Sequence, residues 1–286
     1  MITDVALPAG LAFIMFAMGL ALTPGDFRLV LTRPRAMLLG LACQMALLPL
    51  VAFAVVAGFA PGPEFAVGLM ILAACPGGIT SNLLTHLAGG ATALAVSLTA
   101  VTSVAGTLTV PLVVNFALAR FDLAPAELPV ARMTLGVFAV ATLPLLAGMI
   151  LNAKAPRWAA RLEKPARHIA TVLFAFIVVG AFASQWRVMM DNAAQVLPPA
   201  LAVNAGAMAV AAILSRGGGL DRRERVAVVM ETGLQNGALG IFVAATLLGS
   251  HAMMVPSIVY ALVMNLSAVA FILFVRLRGR VPAGIA

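Results

Sequence analysis

Charged residues are scarce in this chain. They make up 10% of its 286 residues, whereas 63% are hydrophobic and the mean hydropathy is +1.08. Soluble domains carry about 25% charged residues, so the composition excludes an ordinary soluble enzyme or binding domain. Cysteine is also scarce: Cys43 and Cys75 both lie in apolar runs, without metal-ligand neighbours at useful spacing. We therefore expect free thiols and no disulfide framework.

Basic residues are missing from the middle of the long apolar runs and lie in the links between them. A membrane-spanning helix needs about 20 mostly apolar residues. Nine such windows fit, at about residues 5–22, 37–59, 65–87, 92–118, 133–151, 169–184, 193–214, 226–248 and 255–275. The sequence thus predicts an all-α polytopic membrane protein with nine transmembrane helices in a single domain, residues 1–286. Because 1–4 lacks the positive lead of a signal peptide, we expect the first helix to be retained.

The links alternate between many and few basic residues. One set of alternate links holds only Arg120, Arg132 and Arg187, and the other set, with the C-terminal end, holds the remaining 15 of the 18 Lys and Arg residues. Since basic links stay in the cytoplasm, we expect the N-terminus outside and the C-terminus in the cytoplasm. The net charge of +8 then reflects topology and not a nucleic-acid surface.

Two polar stretches interrupt the third and eighth runs, at 75–82 and 228–237. The second stretch holds Glu231, the one acidic residue placed well inside an apolar run, and an ionisable group there predicts a functional site. The predicted orientation makes the two interrupted helices antiparallel, each third in a set of four. This pattern predicts an inverted repeat whose two discontinuous helices cross near the midplane, as in secondary transporters.

The residue types at the two breaks favour binding of a small hard cation. Pro76 and the glycines after it allow a break, and Thr80, Ser81 and Asn82 favour a helix N-cap, so a half-helix with free N–H groups is expected there. Glu231 and Gln235 are four residues apart and are expected to share a helix face. Opening of the helix over 233–237 would free its carbonyls. Such oxygen ligands with a single carboxylate favour Na⁺ over Ca²⁺.

Each feature alone also has a structural explanation. An isolated Pro or Gly-Gly produces a kink, Ser and Thr residues in the fourth run allow close helix packing, and Gln44 alone is a packing amide. The position of His86, near the end of the third run, allows a proton-relay role but is more typical of an interfacial histidine. The pairing of two breaks at corresponding places, with Glu231 in one of them, is what favours a site.

The chain resembles the bile acid:sodium symporter family over nearly its whole length. Three motifs in order carry the resemblance, namely 14–20 followed by 24–27, then 75–78 with 81–82, and then 231–236. The resemblance is to the nine-helix form of bacterial members and implies a location in the bacterial inner membrane. It also implies a core domain (spans 2–4 and 7–9), a panel domain (spans 1, 5 and 6) and a substrate path between them.

The resemblance also implies ligands for two sodium ions. The first site would consist of Ser81, Asn82, Thr99 and Glu231, and the second of Gln44, Glu231, Gln235 and the carbonyls of Thr232 and Leu234. Thr80 and Asn236 would face the substrate. The chain departs from the family at Ala95, where bacterial relatives often carry a serine ligand, and at Met264, where some relatives have a polar residue near the substrate.

The function predicted from these observations is sodium-coupled symport of an organic anion, either bile-acid-like or a hydroxy or keto acid. A proton-coupled carrier with Glu231 as the proton carrier is the nearest alternative. An intramembrane hydrolase with Ser81 or a Thr as nucleophile is remote, because it would need a base at helical spacing and His86 lies off the helix face of Ser81. We expect no enzymatic activity, and the sequence indicates the bilayer, sodium ions and an organic anion as partners, with no protein or nucleic-acid partner evident.

Overall fold

Helices make up the regular structure of the part of the chain that the computed structural model describes, which is residues 2–23, 25–123 and 130–279. Pro24, from the first motif of the family resemblance, and Arg280, from the basic C-terminal end, lie outside these ranges. The main helices are α1 (Ile2–Leu20), α2 (Pro34–Phe59), α3 (Pro63–Ala74), α4 (Ile79–Leu87), α5 (Thr92–Arg120), α6 (Val130–Lys154), α7 (Pro156–Ser184), α8 (Ala193–Gly217), α9 (Arg222–Gly233), α10 (Gly237–Leu247) and α11 (His251–Gly279). Shorter helical segments lie at Asp26–Arg28, Leu29–Thr32 and Trp186–Asp191.

Six of these helices, α2, α5, α6, α7, α8 and α11, are long and apolar enough to cross a membrane. Shorter apolar helices occur at Val5–Leu20 within α1, at α3 and at α10. The chain is therefore a multi-pass helical membrane protein, as the composition predicts. One boundary differs from expectation: α7 begins at Pro156 and not near residue 169. The basic link continues the helix although Pro165 lies within it, because most of its other residues are good helix formers and Arg167 pairs with Glu163 one turn away.

Proline explains a local widening of α2 and α6. In each helix one turn is π-helical, at Cys43–Leu47 and at Phe138–Thr142, and a proline follows at Pro49 or Pro144. Proline lacks an N–H and its ring clashes with the carbonyl four residues earlier, which favours a wider turn at that point. The wide turn in α2 contains Gln44.

The first turn of α9 is held by a capping box. Asp221 Oδ1 accepts from Glu224 N at 2.8 Å, and Glu224 Oε2 accepts from Asp221 N at 3.1 Å. These bonds satisfy two backbone donors that a helix start leaves without partners. The interrupted helix α9–α10 therefore begins at a defined residue.

Contacts between links indicate which helix ends lie together. Near one end of the bundle, Arg33 pairs with Glu224 at 3.1 Å and Arg222 Nη2 donates to Val275 O at 2.8 Å. Near the other end, Gly62 N donates to Gln195 Oε1 at 3.1 Å. The basic links at 28–35 and 216–225 and the C-terminal end of α11 therefore lie together.

Helices α1 and α6 approach each other through glycines. A Cβ added to Gly19 would overlap Leu145 O, and one added to Gly148 would overlap Phe16 O. Backbone-to-backbone contact of this kind is the usual role of small residues between membrane helices. The contact fixes α1 against α6, and α1 also packs along α7.

Candidate functional site

The two breaks meet and bond to each other. The first lies between α3 and α4, the second between α9 and α10, and the chain at Gly77 pairs antiparallel with that at Gln235. Gly78 N donates to Leu234 O at 3.2 Å, and Asn236 N donates to Pro76 O at 2.8 Å. Both break positions are confirmed, and the two unwound segments satisfy each other's backbone groups inside the protein, as a membrane interior requires.

The start of α4 differs from the prediction. The helix begins at Ile79 after Gly78, which has an extended backbone, so Thr80, Ser81 and Asn82 lie inside its first turn and do not cap it. Ser81 Oγ donates to Gly78 O at 2.8 Å. The pairing with the second break explains the difference. The bond from Gly78 N to Leu234 O holds Gly77 and Gly78 in an extended conformation, so the helix begins only after them.

Two expectations for the second break are wrong. Helix α9 ends at Gly233, so Glu231 and Gln235 do not share a helix face. The carbonyls at the break are also not free. Thr232 O accepts from Gln235 Nε2 at 2.8 Å, Gly233 O accepts from two side chains described below, and Leu234 O accepts from Gly78 N. Both differences arise because the backbone is extended at Leu234. The extended residue separates the side chains of Glu231 and Gln235 and directs each carbonyl towards a different neighbour.

Glu231 lies at the crossing of the breaks and is buried, with 1% of its surface exposed. Its Oε1 contacts Thr99 Oγ1 of α5, and the Ser81 hydroxyl lies beside the same carboxylate. The carboxylate also rests on Gly77, where an added Cβ would overlap Oε1. Three elements, α4, α5 and the first break, therefore surround the one carboxylate.

The residues predicted for the first sodium site provide oxygens without other partners. Among the described residues, Glu231 Oε2 and Asn82 Oδ1 are buried and accept no hydrogen bond. Buried acceptors in this condition carry a cost that a bound cation would remove, so the residues present fit a small hard cation. Ala95, one turn before Thr99 on α5, is fully buried and adds no side-chain oxygen.

The residues predicted for the second sodium site form an amide pair beside the crossing. Gln44 Nε2 donates to Gln235 Oε1 at 2.6 Å and to Cys75 O at 3.2 Å, and both glutamines are buried. Gln44 thus connects α2 to both breaks. Gln235 in turn contacts Thr232 O, so these three residues of the predicted set are in direct contact.

The two residues predicted to face the substrate, Thr80 and Asn236, lie at the starts of two different half-helices. Thr80 is half-buried in the first turn of α4. Asn236 is buried and caps α10, because its Oδ1 accepts from Leu239 N at 3.1 Å, and its Nδ2 lies 3.5 Å from Met15 Sδ of α1. Met264 is buried in α11. Asn236 therefore lies where the second break meets α1.

The structure also shows contacts at this site that could not be foreseen from the sequence. Gly77 lies directly against the carboxylate of Glu231. Asn204 and Tyr260 both donate a hydrogen bond to Gly233 O. Asn204 is a lone amide in an apolar run, as Gln44 is, and the same reasoning could have selected it. Tyr260 is the single tyrosine of the chain, but nothing local to it in the sequence indicates a contact with the second break.

The arrangement does not support an intramembrane hydrolase. Ser81 Oγ donates to Gly78 O, and His86 is exposed with its Nδ1 3.5 Å from Thr92 Oγ1. A serine nucleophile requires a base within hydrogen-bond reach, and these two residues do not form such a pair.

Comparison with known proteins identifies the family. Residues 8–192 match the Sodium Bile acid symporter family. The chain is 27% identical over 270 residues to the probable chloroplastic sodium/metabolite cotransporter BASS2 of Oryza sativa, an alignment covering 94% of this chain and 64% of the rice protein. It is 27% identical over 258 residues to the uncharacterized sodium-dependent transporter YocS of Bacillus subtilis, covering 90% of this chain and 78% of that protein.

A mammalian protein is also similar. The chain is 30% identical over 182 residues to the ileal sodium/bile acid cotransporter of Cricetulus griseus, covering 62% of this chain and 52% of the hamster protein. The alignments thus span just under two thirds of the rice protein and about half of the hamster protein. These relatives are named as transporters and not as enzymes. The chain belongs to the sodium bile acid symporter family.

Proposed function

We propose that this member of the sodium bile acid symporter family is a sodium-coupled symporter of an organic anion that works by alternating access. One observation carries the proposal: the two breaks meet beside Glu231, a buried carboxylate that lies against the Thr99 and Ser81 hydroxyls and whose Oε2 accepts no hydrogen bond. A cation at this point would contact both breaks at once. Its binding would therefore be coupled to the relative position of α4, which begins there, and α9, which ends there.

Two sodium ions are proposed, bound as substrates of the transport cycle. The first would be held by Ser81, Asn82, Thr99 and Glu231, and the second by Gln44, Glu231, Gln235 and the carbonyls of Thr232 and Leu234. Direct contacts of Thr99 with Glu231 and of Gln44 with Gln235 support these sets. Sodium at the second site would replace the bond from Gln235 Nε2 to Thr232 O.

An inverted repeat of four spans is proposed as the basis of the fold, within a nine-span arrangement. Helices α2, α3 and α5 begin at residues 34, 63 and 92, and helices α8, α9 and α11 begin at 193, 222 and 251, each 159 positions later. Helices α5 and α11 are both 29 residues long, and α3 and α9 are both 12. This constant spacing supports the repeat, and the antiparallel crossing of the breaks supports its inverted sense.

The substrate path is proposed to lie between a core of α2–α5 and α8–α11 and a panel of α1, α6 and α7. Mutual packing of α1, α6 and α7 supports the panel as a unit. The contact of Asn236 with Met15 bridges core and panel. Substrate bound between them would therefore be recognised at Asn236 and at Thr80, on the two half-helix starts.

Uptake by the purified protein in liposomes tests this function. A panel of monocarboxylic and bile-acid-like anions would be supplied with an inward sodium gradient or with potassium in its place. We expect uptake with sodium and not with potassium. Uptake that is the same in both media would contradict sodium coupling.

Proton coupling is the alternative that one observation favours. Glu231 is a buried carboxylate, and such a group is a suitable proton carrier in a membrane. In the same liposomes, an inward proton gradient without sodium would then drive uptake. We expect it not to do so.

A further inference from the structure

We propose that Asn204 and Tyr260 are positioning residues of the second sodium site, because together they fix the carbonyl of Gly233 between two predicted carbonyl ligands. This inference rests on the proposed function. It adds to that function two side chains, from α8 and α11, that do not contact the ion themselves.

The contacts form a closed triangle. Asn204 Nδ2 donates to Gly233 O at 2.9 Å, Tyr260 Oη donates to the same oxygen at 3.1 Å, and Asn204 Nδ2 lies 3.2 Å from Tyr260 Oη. Both side chains are buried, with 2% and 0% of their surface exposed. A carbonyl oxygen has two lone pairs, so these two donors use the full hydrogen-bonding capacity of Gly233 O.

The triangle fixes the direction of the neighbouring carbonyls. Gly233 is the last residue of α9, and Leu234 is extended with φ −112° and ψ 106°. The peptide plane that carries Gly233 O shares its Cα atoms with the planes that carry Thr232 O and Leu234 O. Holding the middle plane therefore limits rotation of both outer ones, which are the predicted sodium ligands.

The triangle also keeps the middle carbonyl away from the ion. With both lone pairs of Gly233 O occupied, the break offers sodium the carbonyls of Thr232 and Leu234 on either side. Oxygen ligands whose directions are set before the ion arrives bind it with less loss of conformational freedom. Loss of the triangle should therefore weaken sodium binding without removing any ligand.

The other half of the proposed repeat supports this division of roles. There Gln44 of α2 donates to Cys75 O, just after the end of α3, as Asn204 of α8 donates to the last carbonyl of α9. The offset of 159 residues that relates the helix starts carries 44 to 203, next to Asn204. Gln44 uses its amide also to reach Gln235, whereas Asn204 is bonded to Tyr260. The amides at corresponding places thus have different proposed roles: Gln44 is a sodium ligand, whereas Asn204 fixes a backbone carbonyl.

The variants Tyr260→Phe and Asn204→Ala test the proposal. Tyr260→Phe keeps the ring and removes one donor, so the fold is retained even if Asn204→Ala is poorly stable. The matched control is Asn265→Ala on the same helix as Tyr260, which loses an amide bond to Ala261 O at 2.6 Å that does not involve Gly233 O. Two quantities are measured for each protein: the sodium concentration for half-maximal uptake, with its Hill coefficient, and the shift of melting temperature on adding sodium.

We expect Tyr260→Phe to need about three- to tenfold more sodium for half-maximal uptake, the effect of one buried hydrogen bond, with a lower Hill coefficient. Uptake at saturating sodium should approach that of the unmodified protein, and Asn265→Ala should keep the normal sodium requirement. Variants that melt at lower temperature but need no more sodium would overturn the inference and leave the proposed function intact. An unmodified protein without any sodium response would overturn both.

Discussion

The Oε1 atom of Glu231 lies against Gly77, at the place where any larger residue would carry its Cβ. The same added Cβ would lie 3.3 Å from Oε2. Glycine at position 77 therefore allows the carboxylate of one interrupted helix to reach the backbone of the other. This close approach, and not only a turn, requires a residue without a side chain.

Gly77→Ala is expected to displace the Glu231 carboxylate. Since the carboxylate is proposed to contact both sodium ions, sodium-dependent uptake should fall at least tenfold at limiting sodium. The control is Gly180→Ala in α7, where an added Cβ meets nothing within 4 Å. Uptake by proteoliposomes over a sodium series measures both. Equal sodium requirements for Gly77→Ala and the control would contradict the role of the contact.

Glu231→Gln and Gln44→Ala should have different effects on sodium binding. Glu231→Gln keeps the size of the side chain and removes its charge from both proposed sites, so sodium-dependent uptake should be lost. Gln44→Ala removes a ligand of the second site alone, so residual sodium binding with a Hill coefficient near that of a single ion is expected. Normal sodium-dependent uptake by Glu231→Gln would show that this residue is assigned wrongly.

The positions of the two breaks could be predicted from the sequence because proline and glycine act locally. Pro76 and Gly233 mark the interruptions to within a few residues of where the helices end. The pairing of the breaks could not be predicted, because the bond from Gly78 N to Leu234 O joins segments far apart in the chain. The expectation that Glu231 and Gln235 share a helix face was wrong for the same reason, since contacts between distant segments could not be read from the sequence.

The candidate sodium ligands came from the family resemblance and not from spacing. Residue types at the breaks indicated a hard cation, but Gln44, Thr99 and Glu231 lie on three different helices, and their contacts depend on tertiary packing. The triangle of Asn204, Tyr260 and Gly233 O was missed for the same reason.

Ala95→Ser is expected to strengthen the first sodium site. Ala95 lies one turn before Thr99 on α5 and is fully buried, so a serine there would add one hydroxyl oxygen beside the proposed ligands. The sodium concentration for half-maximal uptake should fall severalfold. Ala100→Ser, at another fully buried alanine of α5, controls for a general effect of a buried hydroxyl. A change of equal size in both variants would argue against a ligand role at position 95.

Topology can be tested with single cysteines, because Cys43 and Cys75 are both buried. Asp191 and Arg161 are exposed and lie at links predicted for opposite sides of the membrane. In intact cells we expect an impermeant thiol reagent to label Asp191→Cys, and to label Arg161→Cys only after permeabilisation. A cysteine added at the N-terminus that reacts only from the cytoplasmic side would contradict the predicted orientation.

The substrate is expected to be a monoanion with an apolar body, such as a hydroxy acid, a keto acid or a bile salt. No Lys or Arg lies in the middle of the apolar runs, so no basic side chain can pair with a substrate there. The two proposed sodium ions against the single carboxylate of Glu231 would leave one net positive charge, which would balance one carboxylate or sulfonate.

The start of α10 adds little to that charge. A helix N-terminus is worth about half a positive charge, but Asn236 Oδ1 already accepts from Leu239 N in the first turn of α10. A dianion would therefore stay partly uncompensated in a cleft of low dielectric constant, at a cost of several kcal/mol. The Leu, Val and Met side chains around the crossing favour an apolar body instead.

Competition between anions measures this preference. With a labelled monocarboxylate as the transported species, unlabelled monocarboxylates should inhibit uptake more strongly than di- or tricarboxylates of similar size, such as succinate or citrate. If two sodium ions accompany one monoanion, as proposed, uptake should also carry net positive charge inward and increase when the liposome interior is made negative. Stronger inhibition by dicarboxylates, or uptake that is indifferent to membrane potential, would contradict the proposed charge balance at Glu231.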